Sequence, residues 1–433
     1  KSEDRPRAST ASATFEGEAW SALPFSPITR GLGPLPAFSS PLLSVLTGET
    51  MMILARYYDG VEIHREEKII ICRFLVPHRV LSTCRTKQGG LHEHLACLYN
   101  QQSCEPSGHI TEAHDFQVHD PDGYAQTVNE RHGLPSDGCA TLGTAANMNN
   151  AAIAHAAFGD LEVIAVCTGG VESNAGRAGD PASFYEAEGH FKRVDDDQVV
   201  TVGTINTMLL LSREVTPGAL VKAVITATEA KAAVLQELAV ASRYSDGLAT
   251  GTGTDQIGVA CRLGTGKPLT DTGKHSKAGE LIGRVVSEAI RETLVLQNGL
   301  TPARQRSVLV HIERLGARSD TIASEIGRLL DPDIAPVFES NFICIDRDPM
   351  TVAAVAALVH LRDKFVWGIL PASCLPEVMR SYAAEVAAAV SGKYERLAEY
   401  RDRLALEAIG LDNTVFLSLV YHSLALGFAD KWE

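Results

Sequence analysis

Between Cys139 and Gln297, short apolar runs alternate with segments of helical period, and few folds accommodate that alternation. The runs Cys139 to Gly143, Leu161 to Thr168, Val199 to Leu211 and Gln256 to Arg262 have the length and composition of strands. Two segments, Pro217 to Ala239 and Ser276 to Gln297, carry apolar residues at helical spacing. These are Val221, Val224, Val234 and Leu238 in the first, and Leu281, Ile282, Val285, Ala289 and Ile290 in the second. Thr216 and Pro217 supply a cap and a first-turn proline. A further helix is expected over Asn147 to Ala157. Such a chain builds an α/β layer, a mixed sheet with flanking helices.

Upstream, Val61 to His64 and Ile69 to Phe74 flank the polar turn Arg65 to Lys68, which reads as a hairpin. A short strand at Val80 to Ser82, a Gly89-Gly90 turn, a helix near Leu91 to Tyr99 and a His-rich polar connection to Pro121 are expected next. Lys1 to Pro41 is rich in Ser, Ala and Pro, with Pro24, Pro27, Pro34, Pro36 and Pro41 too closely spaced for helix or central strand. Beyond Gly299 the texture turns to long helical patterns, Thr351 to Phe365, Pro376 to Glu407 and Asn413 to Phe428. The expected organisation is an arm over 1–50, a catalytic α/β domain over 51–298 and a mainly helical C-terminal domain over 299–433. The arm's composition suits an extended tail that turnover does not need.

With 433 residues, two domains and a tail are the natural division. The formal net charge of −14, with no block of Lys or Arg, argues against a surface that tracks nucleic-acid phosphates. No apolar stretch reaches the length of a membrane span; the longest candidate is Val352 to Leu361. Nine scattered cysteines without a C-x-x-C pair fit a reducing cytoplasm, and Cys167 and Cys261 read as buried thiols in strands.

Four polar, glycine-bearing segments interrupt these elements. Gly143 to Asn150 follows a strand, and there Asn147 either caps a helix or offers its amide to an oxygen acceptor. Thr168 to Asp180 is a run of small residues holding Gly169, Gly170, Asn174, Arg177 and Asp180, either a flexible connection or a backbone that approaches a ligand. Gly203 to Thr207 places Thr204 and Asn206 on one face of a strand. Ala249 to Asp255 is a Thr/Gly loop running into a strand, the wrong order for a dinucleotide site. Pro268 likewise spoils Gly264-Thr265-Gly266-Lys267 as a P-loop.

These segments resemble the adenosylcobinamide amidohydrolase family. The resemblance is carried by Ser82-Thr83 with Gly89-Gly90-Leu91, Gly143 to Asn147, Thr168 to Asp180, Gly203 to Asn206, Ala227 to Lys231 and Thr250 to Asp255. Gly273-Lys274-His275 before Gly279 to Gly283 completes the series. Together they cover roughly Val61 to Gln297. The resemblance implies cleavage of the secondary amide of adenosylcobinamide to adenosylcobyric acid and 1-amino-2-propanol, with a small-molecule corrinoid as partner and no resident cofactor. A corrinoid-binding module without turnover, and a hydrolase of another amide, are the alternatives.

Amide hydrolysis needs a nucleophile, oxyanion donors and a proton for the leaving amine. The candidates are Asp255 as base or orienting group, His275 as proton carrier, and Thr252, Thr254 or an activated water as nucleophile. Asn174, Asn206 and the Gly169-Gly170 amides are candidate oxyanion donors. Asn147, Arg177, Asp180, Thr204, Glu229 and Lys274 are further candidates for holding substrate. Seven of the 14 histidines lie between His78 and His132. They include His92, His94, His109, His114 and His119, yet no H-E-x-x-H pair is present, so a solvated loop is expected and no metal site. For all four segments to line one pocket, the strands following Gly203 and Asp255 must run against those preceding Gly143 and Thr168.

Overall fold

The computed structural model describes residues 52–104, 112–188, 190–194 and 203–432. Its first strands are β1 (Met52–Tyr57), β2 (Val61–Glu66), β3 (Ile69–Phe74), β4 (His78–Ser82), β5 (Gly90–His92), β6 (Cys97–Gln102) and β7 (Cys139–Thr144), with α1 (Glu112–His119) and α2 (Pro121–Arg131) between the last two. There follow β8 (Ala152–Phe158), β9 (Leu161–Gly169), β10 (Ala175–Gly176), β11 (Phe184–Ala187), β12 (His190–Arg193) and β13 (Ile205–Leu211). Then come α3 (Pro217–Glu237), β14 (Gly251–Thr252), β15 (Gln256–Arg262) and α4 (Lys277–Asn298).

Two sheets result. One has the order β1-β2-β3-β6-β7, the other β5-β4-β15-β13-β9-β8. In the second, β13 runs parallel to β15 and antiparallel to β9, so the sheet is mixed. Strands β13 and β15 therefore run against β9, as the convergence of the segments requires, while β7 belongs to the other sheet.

Side-chain alternation explains the layering. Along β9, Ile164 and Val166 join Met208 and Leu210 of β13 in a core shared with Val61, Ile63, Ile70 and Leu98 of the first sheet. Their neighbours Val163, Ala165, Cys167, Leu209 and Leu211 turn the other way, onto Leu220, Val234, Ile282 and Val285 of α3 and α4. The outer face of the first sheet, with Ile69, Ile71 and Tyr99, packs on Tyr124 and Val128 of α2. The order of layers is helix, sheet, sheet, helix. Gly258 permits the two sheets to close up, since a Cβ there would meet the Leu98 side chain at 2.7 Å.

Two expected helices are strands instead. Leu91, Leu95 and Leu98 have helical spacing, but Gly90–His92 pairs with β4 and Cys97–Gln102 joins β3 and β7. Asn147 to Ala157 is a single 3-10 turn, Met148–Asn150, followed by β8. In β8, Ala152, Ala154 and Ala156 are buried while His155 and Ala157 are exposed, a period of two. Alanine serves either period, and pairing with β9 decided it. Cys167 and Cys261 are buried free thiols as expected, but the scattered cysteines also include a pair, Cys97 and Cys139, that face one another across β6 and β7 and form a disulfide with Cα atoms 4.8 Å apart. The proline-rich arm and the first residues of the expected strand from Val199 lie outside the described residues.

After α4, the chain forms α5 (Pro302–Gln305), α6 (Val308–Ile312), α7 (Ile322–Gly327), α8 (Ala335–Asp346), α9 (Pro349–Val366), α10 (Leu375–Ser391), α11 (Leu397–Arg403) and α12 (Asn413–Ala429). These helices share a core of their own around Phe338, Met379, Val386, Tyr400, Phe416 and Phe428. The expected Pro376 to Glu407 helix is broken at Gly392, whose φ of 79° makes it a left-handed C-cap.

His78 gives this framework a pH dependence. Its Nδ1 lies 2.7 Å from the Val76 carbonyl, which fixes the N–H there, and Nε2 then accepts from Tyr58 Oη at 3.0 Å. Burial pushes its pKa down to about 4, and the Arg262 charge adds to this against the Val76 bond. The native state thus holds His78 neutral, and the stabilisation is complete above the ordinary value near 6.5. It is lost as pH falls from there towards 4, where the unfolded chain binds the proton first. Denaturation midpoints measured at pH 7 and pH 4.5 should show a loss approaching roughly 3 kcal/mol at the lower limit, attributable to this residue. His78→Gln should be correspondingly less acid-sensitive. Equal acid sensitivity in the variant would refute the assignment.

Candidate active site

The four polar segments meet at one end of the two sheets. Within the inter-sheet layer the apolar core ends in amides. Asn206 and Thr168 are cross-strand partners on the face that carries Met208 and Val166, and Asn100 of β6 stands opposite them. Asn206 Nδ2 donates to Asn100 Oδ1 at 2.9 Å and to the Gly143 carbonyl at 2.8 Å. Its Oδ1 accepts from Gln256 N at 3.2 Å and Thr204 Oγ1 at 3.3 Å. Asn100 Nδ2 donates to Thr168 Oγ1 at 2.7 Å, and Gly143 N donates to Gln256 Oε1 at 2.9 Å. Asn100, Thr168 and Asn206 are each at most 2% exposed. A buried amide with every donor and acceptor engaged locks strands together. Asn206 is therefore a structural keystone, which corrects its nomination as an oxyanion donor.

On the other face of β15, towards the helices, Asp255 accepts four hydrogen bonds. Its Oδ1 takes Ile205 N at 2.8 Å and Thr252 Oγ1 at 2.6 Å, while Oδ2 takes Thr252 N at 3.0 Å and the Lys231 ammonium. Lys231 and Asp255 side chains are each 14% exposed, so the pair is reachable but largely desolvated. Thr254 Oγ1 donates to the Gly203 carbonyl at 2.9 Å, which is no base, whereas the Thr252 hydroxyl points at a carboxylate. Asn174 adjoins this loop. Its Nδ2 donates to the Gly203 carbonyl at 2.8 Å and its Oδ1 accepts from Tyr244 Oη at 2.5 Å. A Cβ on Gly253 would lie 3.3 Å from the Asn174 amide.

The loop from Gly170 to Asp180 is clamped to the Thr/Gly loop, with Ala175 paired to Thr252 and Gly176 to Gly251. Asp180 secures it by accepting from Arg177 N at 2.7 Å and Ser242 Oγ at 2.6 Å. Burial would raise the Asp180 carboxyl, but those bonds and the Arg177 charge hold it below the usual carboxylate range. Arg177 itself donates to the Leu248 carbonyl. A cleft of about 470 Å³ opens alongside, between Val171, Glu172, Arg243 and Gln297 on one side and Arg304 and Glu313 on the other.

Other nominated residues fall elsewhere or are already committed. Gly169 N donates to Thr293 Oγ1 and Gly170 N to the Thr204 carbonyl, so neither amide is open to an oxyanion. Asn147 caps the Met148–Asn150 turn through Asn149 N. Glu229 and Lys274 form an exposed ion pair with one another. His275 is exposed at the start of α4, where its neighbour Lys277 lies over Phe158 of the β8–β9 turn. The far end of α4, at Thr293 and Gln297, borders the amide cluster. A 22-residue helix, about 33 Å long, separates the two. The expected Asp255–His275 pair is thus not formed.

The histidine-rich stretch is dispersed as well. His92 bonds the Gly89 carbonyl, His119 bonds Asp115 and His132 bonds Glu66, while His109 lies outside the described residues. Among the described residues, no three of His, Cys, Asp and Glu are gathered to hold a metal. Nor is any described helix long and apolar enough to cross a membrane.

Lys231 and Asn100 are the residues that sequence reasoning missed. Lys231 lies four residues after buried Ala227 and three before buried Val234, hence on the inward stripe of α3. Glu229, two positions away, points elsewhere.

A layered α/β protein whose loops set a threonine hydroxyl against a carboxylate and a lysine carries a candidate acyl-transfer site. The chain belongs to the adenosylcobinamide amidohydrolase family, whose model matches residues 54–302 and so includes every residue of this cluster. It is also 36% identical to an uncharacterized protein of Methanocaldococcus jannaschii over 187 residues, 42% of this chain and 72% of the relative.

Proposed function

We propose that this protein hydrolyses the aminopropanol amide of adenosylcobinamide, giving adenosylcobyric acid and 1-amino-2-propanol, as a cytoplasmic step of corrinoid salvage. The observation that carries the reading is the 2.6 Å bond from Thr252 Oγ1 to Asp255 Oδ1, beside Lys231, inside the family-matched region.

The four bonds already made to Asp255 favour Thr252 over water as nucleophile. A water would have to displace an existing partner, whereas the Thr252 proton already lies on the carboxylate. Thr252 Oγ1 attacks the amide carbon and Asp255 takes its proton. The second Nδ2 hydrogen of Asn174 donates to the oxyanion as it forms. The C–N bond then breaks, the departing nitrogen receives the proton held by Asp255, and a threonyl ester remains. Water attacks that ester by the same path in reverse, releasing the acid and restoring the hydroxyl. Lys231 keeps Asp255 in place.

The direct test is incubation of the purified protein with adenosylcobinamide, with products read by mass spectrometry. Appearance of cobyric acid and aminopropanol is expected. Tight binding without product would point to a binding module, and turnover only of other amides would point to a different substrate.

A further inference from the structure

Between Asp180 and Gly203, two residues fastened to the candidate site, the chain projects a separate hairpin. Among the described residues, strands β11 and β12 pair only with one another, and Val194 N closes the base on the Ser183 carbonyl at 3.0 Å. Its register places Phe184 opposite Arg193 and Glu186 opposite Phe191, so these four side chains share one face. That face is mixed, with the rings of Phe184 (42% exposed) and Phe191 (54% exposed) set beside the charged Glu186 and Arg193. Two exposed rings side by side on one face form a candidate contact surface.

Two cations flank the rings. Arg193 lies over Phe184, and Arg85 lies over Phe191 with its guanidinium carbon 4.9 Å from the centroid. Arg85 comes from the loop after β4, in which Thr83 bonds both N and O of Ile257, two residues beyond Asp255. Through Phe191 and Arg85 the hairpin thus meets a loop that is bonded to β15 two residues beyond Asp255. Aromatic faces and guanidinium donors, with Glu186 beside them, are thus tied to the strand that follows Asp255.

We propose that this face is the seat of the corrin macrocycle: Phe184 and Phe191 cover its apolar edge, while Arg85 and Arg193 donate to the carbonyls of its peripheral amides. The inference rests on the corrinoid reading and deepens it. It explains how an open site holds a large flat substrate while only one side-chain amide reaches Thr252.

The test compares wild type, Phe184→Ala/Phe191→Ala and Phe184→Tyr/Phe191→Tyr for adenosylcobinamide turnover and equilibrium binding, with thermal unfolding as a folding control. The alanine pair should raise KM and Kd tenfold or more with kcat within about twofold, and the tyrosine pair should restore both. Unchanged Kd in the alanine pair, a fall in kcat alone, or failure of the tyrosine pair to rescue would each overturn the seat while leaving the reaction intact. Unchanged Kd with loss of a dimer in light scattering would assign the rings to a second copy of the chain instead. Absence of both binding and turnover in wild type would instead refute the corrinoid reading itself, and the seat with it.

Discussion

Asp255→Asn is expected to lower kcat for amide cleavage by roughly a hundredfold to a thousandfold while leaving substrate binding within a few-fold. The substituted amide keeps the size of the side chain but must present an NH2 group either to Lys231 or to the Thr252 hydroxyl. In the first orientation the carbonyl oxygen still accepts the Thr252 hydrogen bond but is too weak a base to take the proton, and in the second even that bond is lost. Thr252→Ala should be at least as severe, because it removes the attacking atom, and Thr252→Ser should retain measurable turnover. Lys231→Met leaves Asp255 desolvated without its cation and should fall between these. His275→Ala, by contrast, should stay within about twofold of wild type, since the ring lies at the start of α4 and the amide cluster borders its other end. Steady-state rates on adenosylcobinamide decide the matter. An active Thr252→Ala protein would return the nucleophile to water, and a crippled His275→Ala protein would require a movement bringing the two sheet ends together.

The contrast between His275 and Lys231 shows where reading from sequence succeeds and where it stops. Short apolar runs, capped helices and the break after Gly299 are local signals, and the strands and helices they mark from β7 to α4 are present with small shifts of boundary, except that Asn147 to Ala157 is a 3-10 turn and a strand rather than a helix. What local signals do not carry is which sheet a strand joins. Leu91, Leu95 and Leu98 stand at helical spacing, yet the backbone of Cys97–Gln102 satisfies both β3 and β7, and with it Asn100 arrives at the site. Proximity in sequence also misled. Asp255 and His275 are separated by one strand and a loop, but a strand has two ends, and β15 carries the chain from one to the other. Lys231, by comparison, was legible: at about 100° per residue it falls in register with Ala227 and Val234, and a lysine on the buried stripe of a helix calls for a partner. Thr204 and Asn206 were read correctly as sharing a face, and their side chains do meet. The chemistry assigned to Asn206 failed because a sequence cannot show that all four of its hydrogen-bonding positions are taken.

That saturation sets the largest expected effect on stability. Asn206→Leu should destabilise the protein by about 3–5 kcal/mol, because it strands Asn100 Oδ1, the Gly143 carbonyl and Gln256 N without their partner, while the Thr204 hydroxyl keeps its bond to the Thr254 carbonyl. Each buried orphan costs roughly 1–3 kcal/mol in isolation, and relaxation around the new side chain keeps the total below the simple sum. Asn206→Asp separates hydrogen bonding from volume. It is nearly isosteric and keeps the acceptor for Gln256 N, but it sets a carboxylate against Asn100 Oδ1 and the Gly143 carbonyl, where two donors had been. If the amide matters as a donor, the aspartate should be about as damaging as the leucine. If it merely fills space, the aspartate should be mild. Urea denaturation followed by circular dichroism at pH 7 distinguishes the two. Both variants remaining within about 1 kcal/mol of wild type would show that the two sheets are held at this end by something other than Asn206.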